Sequence, residues 1–564
     1  MQIPLADVLS ALTLGESHVM GPGGLMVATD RAEFHRLAEL VEAAAEIRQG
    51  DRGGLQVAAR DLGMWNDLAE LGVVDEQAAQ WVRAAQALVG HETLPEVDPV
   101  GLTTTLRSYQ WEGVRWLVHL WSLGLGGFLA DDMGLGKTLQ TLALISHARA
   151  QGSGPFLVVA PTSVMTAWAG EAARHAPDLD VRVIEASHTR RGTALAEEVA
   201  GADLVVTSYT LLRLEADDYA RLTWGGVVLD EAQAIKNHQS KTYQAVRHLD
   251  APFRLAVTGT PFENRLLELW ALLSVVGPGL YPSSKQFVEV VVRPVERTGD
   301  EAALARFRSR VRPFVLRRTK EVVAADLPAK QEQVLEVALH PKHQKLYDTW
   351  LQRERQSILG LVDDFDRNRV AIFSALTRLR QLSLDAALVD EEHETLGSAK
   401  LDVLVEHLVE LAAEGHRELV FSQFTSFLKR ARARLEAEGV SCRYLDGATR
   451  RRGEEIDAFK SGQGDAFLIS LKAGGVGLTL TEADYVFVLD PWWNPAAEAQ
   501  AVDRAHRSGQ QRPVIVYRLV SVGTIEEKVM ALKDRKAALF ASVFSGEGAV
   551  GTGIDADDVR ALFD

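Results

Sequence analysis

GGFLADDMGLGKTLQTL (Gly126–Leu142) is the stretch on which the fold turns. Gly126–Ala130 is short and apolar on both faces, as a strand inside a parallel sheet must be. DDMGLGKT (Asp131–Thr138) follows it and opens a predicted helix. Strand, glycine-rich turn and helix in that order make a phosphate-binding loop. The N–H groups of the turn converge where a helix N-terminus concentrates partial positive charge. In this reading Met133, Gly134, Leu135 and Gly136 form the cradle. Lys137 reaches the β- and γ-phosphates, and the Thr138 hydroxyl ligates Mg²⁺. The general pattern places a glycine five residues before the Gly-Lys pair, and this chain has Asp131 there.

Outward from this turn the same rhythm repeats. Phe156–Ala160, Asp203–Ser208, Gly226–Asp230 and Arg254–Gly259 are short, β-branched and apolar. They read as buried parallel strands joined by helical crossovers, which gives a doubly wound sheet. From about Phe262 to Ala399 helical spacing dominates, as in Arg367–Leu384, while Lys330–Leu339 alternates like a strand. From about Lys400 the α/β pattern resumes, with predicted strands at Glu418–Phe424, Cys442–Gly447, Ala466–Leu471, Tyr485–Asp490 and Val514–Val520.

Chemistry-bearing residues cluster at strand ends. Asp230 and Glu231 lie just past an apolar strand, where the first carboxylate can hold Mg²⁺ and the second can activate a water. Alone, an Asp–Glu pair after a strand is also a common helix start. Thr258 and Thr260 lie past another strand, where small hydroxyls can sense a γ-phosphate or simply serve a turn. In DPWWNPAAEAQAVDRAHRSGQ (Asp490–Gln510), Arg504 and Arg507 stand three residues apart. On a helix that spacing puts both on one face, where fixed cations can stabilise phosphoryl transition-state charge. A solvated basic face is the bland alternative.

Composition sets the outer limits. The chain has 564 residues, 47% hydrophobic and 24% charged, which excludes a mainly disordered chain, a collagen and a coiled-coil rod. Its single cysteine, Cys442, excludes an internal disulfide and a Cys-rich zinc site, so no zinc is expected and a reducing cytoplasm is the simplest setting. Asp7 stands where a secretory leader would be basic, and no apolar run is long enough for a membrane span, so no membrane partner is expected. The net charge of −16 is uneven. Residues 1–100 hold 6 Lys and Arg against 16 Asp and Glu, whereas RFRSRVRPFVLRRTK (Arg306–Lys320) has seven basic residues and no acidic one. Phosphates respond to the local field, so an acidic total is compatible with a nucleic-acid partner. That tract either touches phosphate or braces the fold by pairing with acidic neighbours.

Taken together, LRSYQWEGVRWL (Leu106–Leu117), DDMGLGKT, VVAPTSVMTAW (Val158–Trp168), DEAQAIKN (Asp230–Asn237), LAVTGTPFEN (Leu255–Asn264), PFVLRRTK (Pro313–Lys320), VFSQF (Val420–Phe424), SLKAGGVGLTLTEAD (Ser470–Asp484), DPWWNP and QAVDRAHRSGQ (Gln500–Gln510) resemble the Swi/Snf-type ATPases of helicase superfamily two, bacterial branch. The resemblance spans about Leu106 to Val529 and implies two RecA-like lobes. It implies that Gln110 contacts the adenine edge, making ATP the nucleotide. Lys137, Asp230, Glu231, Arg504 and Arg507 would be catalytic, with Mg²⁺ held by Thr138 and Asp230. Gln233, Thr258, Thr260 and Gln500 would couple nucleotide state to motion. Four departures stand out: Asp132 for the usual Glu, Gln233 for the usual His, Trp492 for the usual Asp, and no Cys or His in Leu379–Leu388.

The expectation is thus an α/β protein: two RecA-like doubly wound parallel-sheet lobes with helical insertions and an N-terminal helical module. The divisions expected are an acidic helical module (1–100, with helices at Asp30–Gln49 and Asp75–Val89), a first lobe (101–262), a helical insertion with the lobe linker (263–399), a second lobe (400–530) and a helical tail (531–564). The expected function is a translocase on double-stranded DNA, nucleoid-associated in the cytoplasm, that displaces bound protein. Thr207, Ser208, Lys472 and Trp493 are the expected DNA contacts. The alternatives are a strand-separating DNA or RNA helicase and an ATPase that recycles RNA polymerase.

Overall fold

The structure, a computed structural model, describes residues 18–21, 25–28, 94, 96–97, 101–259, 266–277, 280–281, 283–323, 328, 330–360, 365–474, 479–492, 495–507 and 510–531. In the first ninety residues the described elements are β1 (His18–Gly21) and β2 (Leu25–Ala28), an antiparallel hairpin with His18 opposite Ala28. The helical reading did not include this hairpin. Its two predicted helices, Asp30–Gln49 and Asp75–Val89, lie outside the described residues.

The chain divides into two compact units. The first runs up to Asp131 and then from Gly136 to Arg318. The second takes Asp132–Leu135 and everything from Thr319 onward. The main crossing, between Arg318 and Thr319, falls inside the stretch 263–399.

The first unit is built on a seven-stranded parallel sheet of order β5-β6-β4-β7-β8-β3-β9. The strands are β3 (Gly127–Leu129), β4 (Phe156–Ala160), β5 (Val181–Ile184), β6 (Leu204–Ser208), β7 (Gly226–Asp230), β8 (Arg254–Val257) and β9 (Val315–Leu316). Every residue of β3, β4 and β6 is buried, which is why these strands read as continuous apolar runs. The helices that bear on the site are α1 (Ser108–Ser122), α2 (Lys137–Ala150), α3 (Met165–His175) and α4 (Tyr209–Leu214). Downstream come α5 (Leu266–Val276) and α6 (Glu301–Val311). β5 and β9 were absent from the sequence reading. β5 is half-exposed with Arg182 in its centre, and β9 is two residues long, so neither gives an apolar signal.

The second unit has a six-stranded parallel sheet of order β10-β15-β14-β11-β13-β12. Its strands are β10 (Lys330–Ala338), β11 (Glu418–Ser422), β12 (Cys442–Leu445), β13 (Ala466–Ser470), β14 (Tyr485–Val488) and β15 (Val514–Val522). The alternating stretch seen in the sequence is the edge strand β10, paired along its whole length with β15 from Lys330↔Val514 to Ala338↔Val522. Helices α7 (Pro341–Leu359) and α8 (Phe365–Leu384) pack on each other through Tyr347, Ile358, Ile372 and Leu376. Helices α9 (Ala399–Ala413) and α10 (Thr425–Ala437) cover one sheet face with Val420, Leu468, Phe487 and Leu519. Leu419, Phe421, Phe467, Ile469 and Val486 fill the other. Two buried faces on each sheet make both units the doubly wound, RecA-like α/β lobes that the sequence implies.

Candidate functional site

In parallel sheets, ligands bind at the carboxyl ends of the strands. In the first unit the phosphate-binding turn follows β3, Asp230 ends β7 and Thr258 follows β8, so all three lie on that edge. Thr258 N–H donates to the Leu129 carbonyl at 3.2 Å, fixing the end of β8 against the end of β3.

The turn is shaped by two glycines. Gly134 (φ 86°) and Gly136 (φ 77°) are left-handed, a conformation that costs glycine nothing and most residues about 1–2 kcal/mol. Gly136 is also the N-cap of α2, which begins at Lys137. Lys137 Nζ donates to the Asp131 carbonyl at 2.6 Å. Leu135 is buried, while Met133 and Thr138 are half-buried. Gln110, 7% exposed on α1, lies against Gly136 so closely that a Cβ there would strike its amide. Its Oε1 accepts the Arg107 N–H at 3.0 Å, anchoring the start of the helix.

Asp230 is half-buried. Oδ2 accepts from Trp168 Nε1 at 2.8 Å, and Oδ1 accepts the Glu231 N–H at 3.0 Å. Its carbonyl accepts the Tyr209 hydroxyl at 2.8 Å. Burial, and then the charge of Glu231, push the Asp230 carboxyl up to about 6, against the pull of the Trp168 hydrogen bond and the Lys137 cation. Among the described residues, Glu231 is the one non-glycine with positive φ (48°). Such a backbone costs about 1–3 kcal/mol and persists only where its surroundings dictate it. Gln233 helps to hold that side chain: its Nε2 donates to Glu231 Oε2 at 2.9 Å, and its Oε1 accepts the Thr258 hydroxyl at 2.9 Å. The amide donates to one neighbour and accepts from the other, so a line runs Glu231–Gln233–Thr258 between two strand ends.

Other predicted residues fall differently. Thr207 and Ser208 are buried, with Thr207 Oγ1 bonded to the Tyr219 hydroxyl at 2.7 Å and Ser208 Oγ accepting from Leu211 N at 3.1 Å to cap α4. Both hydroxyls are engaged inside the unit. Thr260 and Trp493 lie outside the described residues, as does the side chain of Lys472.

In the second unit, the helix Pro495–Val502 stops before the two arginines. Arg504 N–H bonds to the Ala501 carbonyl and Ala505 N–H to that of Val502, so the backbone has tightened into turns. The shared helix face expected for Arg504 and Arg507 therefore does not form. Arg504 is fully buried. Arg507 is half-buried, its Nε donating to the Asp503 carbonyl at 3.1 Å and a terminal nitrogen to Thr479 Oγ1 at 3.2 Å. Gln500 is half-buried on the preceding helix. Lys320 braces this turn, its ammonium 2.8 Å from Asp503 Oδ1 and donating to the His506 carbonyl at 2.6 Å. Burial pulls its pKa down, and the Asp503 charge pulls it back up. The bracing alternative thus describes the C-terminal end of the basic tract. At its other end, Arg306, Arg308 and Arg312 are in no ion pair among the described residues.

The sequence reading assigned no role to Trp168 and Tyr209. Each sits on a helix after a different strand and reaches Asp230 only through the tertiary fold.

Residues 109–388 match the SNF2-related domain, and residues 399–509 match the helicase conserved C-terminal domain. The chain belongs to the SNF2-related family. YwqA of Bacillus subtilis, named as an ATP-dependent helicase/translocase, is 34% identical over 92% of this chain and 57% of its own length. The ISWI chromatin-remodeling complex ATPase ISW1 of Saccharomyces cerevisiae is 32% identical over 78% of this chain and 41% of its own length. The chain thus spans about half the length of these SNF2-related relatives. A solved structure, the Sulfolobus solfataricus SWI2/SNF2 ATPase core in complex with dsDNA, is 32% identical over 83% of this chain and 98% of that one, with a TM-score of 0.42. This chain accordingly carries the SNF2-related family's helicase-like ATPase domains. No helix among the described residues is long and apolar enough to cross a membrane.

Proposed function

We propose that this chain is a DNA-stimulated ATPase that moves along double-stranded DNA and displaces protein bound there. The observation that carries the reading is the Glu231–Gln233–Thr258 line beside the phosphate-binding turn, with Asp230 held from two sides. Gln110 over Gly136 suits a contact to the base edge of ATP.

Mg²⁺ fits the donor set. Asp230, desolvated beside a second carboxylate and raised for that reason, marks a spot short of positive charge. Among the described residues, no group of three or more His, Cys, Asp or Glu could hold a metal by itself. That suits Mg²⁺, which takes one or two carboxylates and completes its shell with water and phosphate oxygens. Thr138 and Asp230 would hold it, and when bound it would neutralise phosphate charge.

The protein's own groups do the rest. Lys137 exchanges the Asp131 carbonyl for phosphate. Glu231, oriented by Gln233 and by its own constrained backbone, takes the proton of the attacking water. Thr258 and Thr260, with Gln500, relay the state of the γ-phosphate. Arg504 and Arg507 supply the cations that stabilise the transition state, Arg507 as the accessible one. Lys472 and Trp493 are the proposed duplex contacts, and Arg306, Arg308 and Arg312, in no ion pair among the described residues, add phosphate-seeking charge. Such contacts are largely blind to sequence and weaken steeply with salt.

The test is ATP turnover with duplex DNA, single-stranded DNA and RNA, each at two salt concentrations. Duplex DNA is expected to accelerate turnover most, with the effect collapsing at the higher salt. Equal acceleration by RNA would sink the reading in favour of an RNA helicase.

A further inference from the structure

The proposed function leaves the Asp131 and Arg318 side chains without a role, yet they form a buried ion pair joined by several hydrogen bonds. Asp131 is fully buried, and the Arg318 side chain is 9% exposed. One carboxylate takes three bonds from one residue: Arg318 Nε to Oδ1 at 3.0 Å, a terminal nitrogen to Oδ2 at 2.5 Å, and the Arg318 backbone N–H to Oδ1 at 3.1 Å. The same terminal nitrogen reaches Gln140 Oε1 on α2 at 2.7 Å, and Gln140 Nε2 returns a bond to Asp131 Oδ2 at 3.3 Å. The other terminal nitrogen donates to the Tyr109 carbonyl, and the guanidinium lies 5.4 Å from the centre of the Tyr109 ring. Gly113, buried on α1, leaves the room: a Cβ there would strike both Gln140 Oε1 and the Arg318 guanidinium.

Placement distinguishes this pair from an ordinary buried salt bridge, which is weak evidence of stability in itself. Asp131 begins the phosphate-binding turn at the position where the general pattern has glycine, and its carbonyl holds Lys137 Nζ. Arg318 is the last residue of the first unit, and the next peptide bond carries the chain into the second. A glycine at 131 could shape a turn but could not grip an arginine. Hydrogen bonds therefore run without a gap from the phosphate-seeking lysine, through Asp131, to the residue from which the chain leaves the unit.

We infer that Arg318 is a positioning residue that ties the start of the phosphate-binding turn to the exit segment of the first unit, so that DNA engagement and turnover are coupled through the Asp131–Arg318 pair. The inference rests on the DNA-stimulated ATPase reading and adds the route of coupling to it. Arg318 acts through Asp131 and touches no nucleotide.

The test uses the full chain, with turnover and KM for ATP measured with and without duplex DNA for wild type, Arg318→Lys, Arg318→Gln and Gly113→Ala, alongside thermal melting. Lysine keeps the charge but cannot span two carboxylate oxygens and Gln140 together. Gly113→Ala leaves both partners in place, crowds them apart, and improves helix propensity. Both Arg318 variants are expected to keep basal turnover and KM within about twofold while losing about tenfold of the DNA acceleration. Gly113→Ala is expected to lose acceleration without a lower melting temperature. Three results overturn the inference: DNA acceleration within about twofold of wild type in both Arg318 variants; basal turnover, KM and melting temperature declining in step with acceleration, as a purely structural anchor would give; or Gly113→Ala accelerated normally. A wild type that duplex DNA fails to accelerate overturns the functional reading as well, and so separates that failure from the others.

Discussion

Two residues placed by the tertiary fold hold the carboxylates of the proposed site. Trp168 Nε1 aims Asp230, and Gln233 stands between Glu231 and Thr258. Trp168→Phe keeps the packing and removes one hydrogen bond to a half-buried carboxylate. Turnover should fall by about tenfold, with a higher Mg²⁺ requirement, read from initial rates against Mg²⁺ concentration. Gln233→Leu leaves both Glu231 and Thr258 short of a partner. ATP binding should stay within about twofold, while turnover drops by about tenfold or more, separable by nucleotide titration against single-turnover rates. Gln233→His puts a titrating ring in the line. A new limb in the turnover–pH profile near the ordinary histidine pKa of about 6.5 is expected, absent from wild type.

At the scale of elements, the strand β11 carries its own tension. Leu419 and Phe421 fill one face of its sheet and Val420 the other, so Phe421→Ala should cost about 3–5 kcal/mol, measured by denaturant unfolding. Its first residue, Glu418, is fully buried, and neither carboxylate oxygen has a hydrogen-bond partner among the described residues. Burial, then the charges of Asp465 and Asp484, push its pKa up to about 9 from an ordinary 4.5. The folded state therefore retains a proton that the unfolded chain has released. Stability from this group is fully present below 4.5 and declines as pH rises, until the folded group itself ionises at about 9. Glu418→Gln should flatten that decline, raising the melting temperature at pH 8 more than at pH 5.

The chain folds as two compact units. Turnover in the proposed mechanism draws Lys137, Asp230 and Glu231 from one unit and Arg507 from the other. Arg507→Ala, half-buried and outside both hydrophobic cores, should lower DNA-stimulated turnover by about 10³-fold with little change in melting temperature. Normal turnover in that variant would remove Arg507 from the mechanism. The fully buried Arg504 is a poorer probe, because its removal disturbs packing as well as charge.

Much of this was legible along the chain. Both parallel sheets announced themselves, because strands buried on two faces must be continuously apolar, and the glycines of Asp131–Thr138 encode a backbone that few other residues adopt. Short or half-exposed strands such as β5 and β9 carry no such signature and went unseen. The helix proposed under Arg504 and Arg507 also failed, since local spacing is silent about where a backbone tightens into turns. Local pattern determined the elements, the phosphate-binding turn and the family. Only tertiary structure decided that Thr207 and Ser208 face inward, that Trp168 and Tyr209 hold Asp230, and that Asp131 grips Arg318. The contacts of Asp230 and Asp131 join residues from 21 to 187 positions apart, and a hydrogen bond between distant segments leaves no periodicity in the sequence from which it could be read.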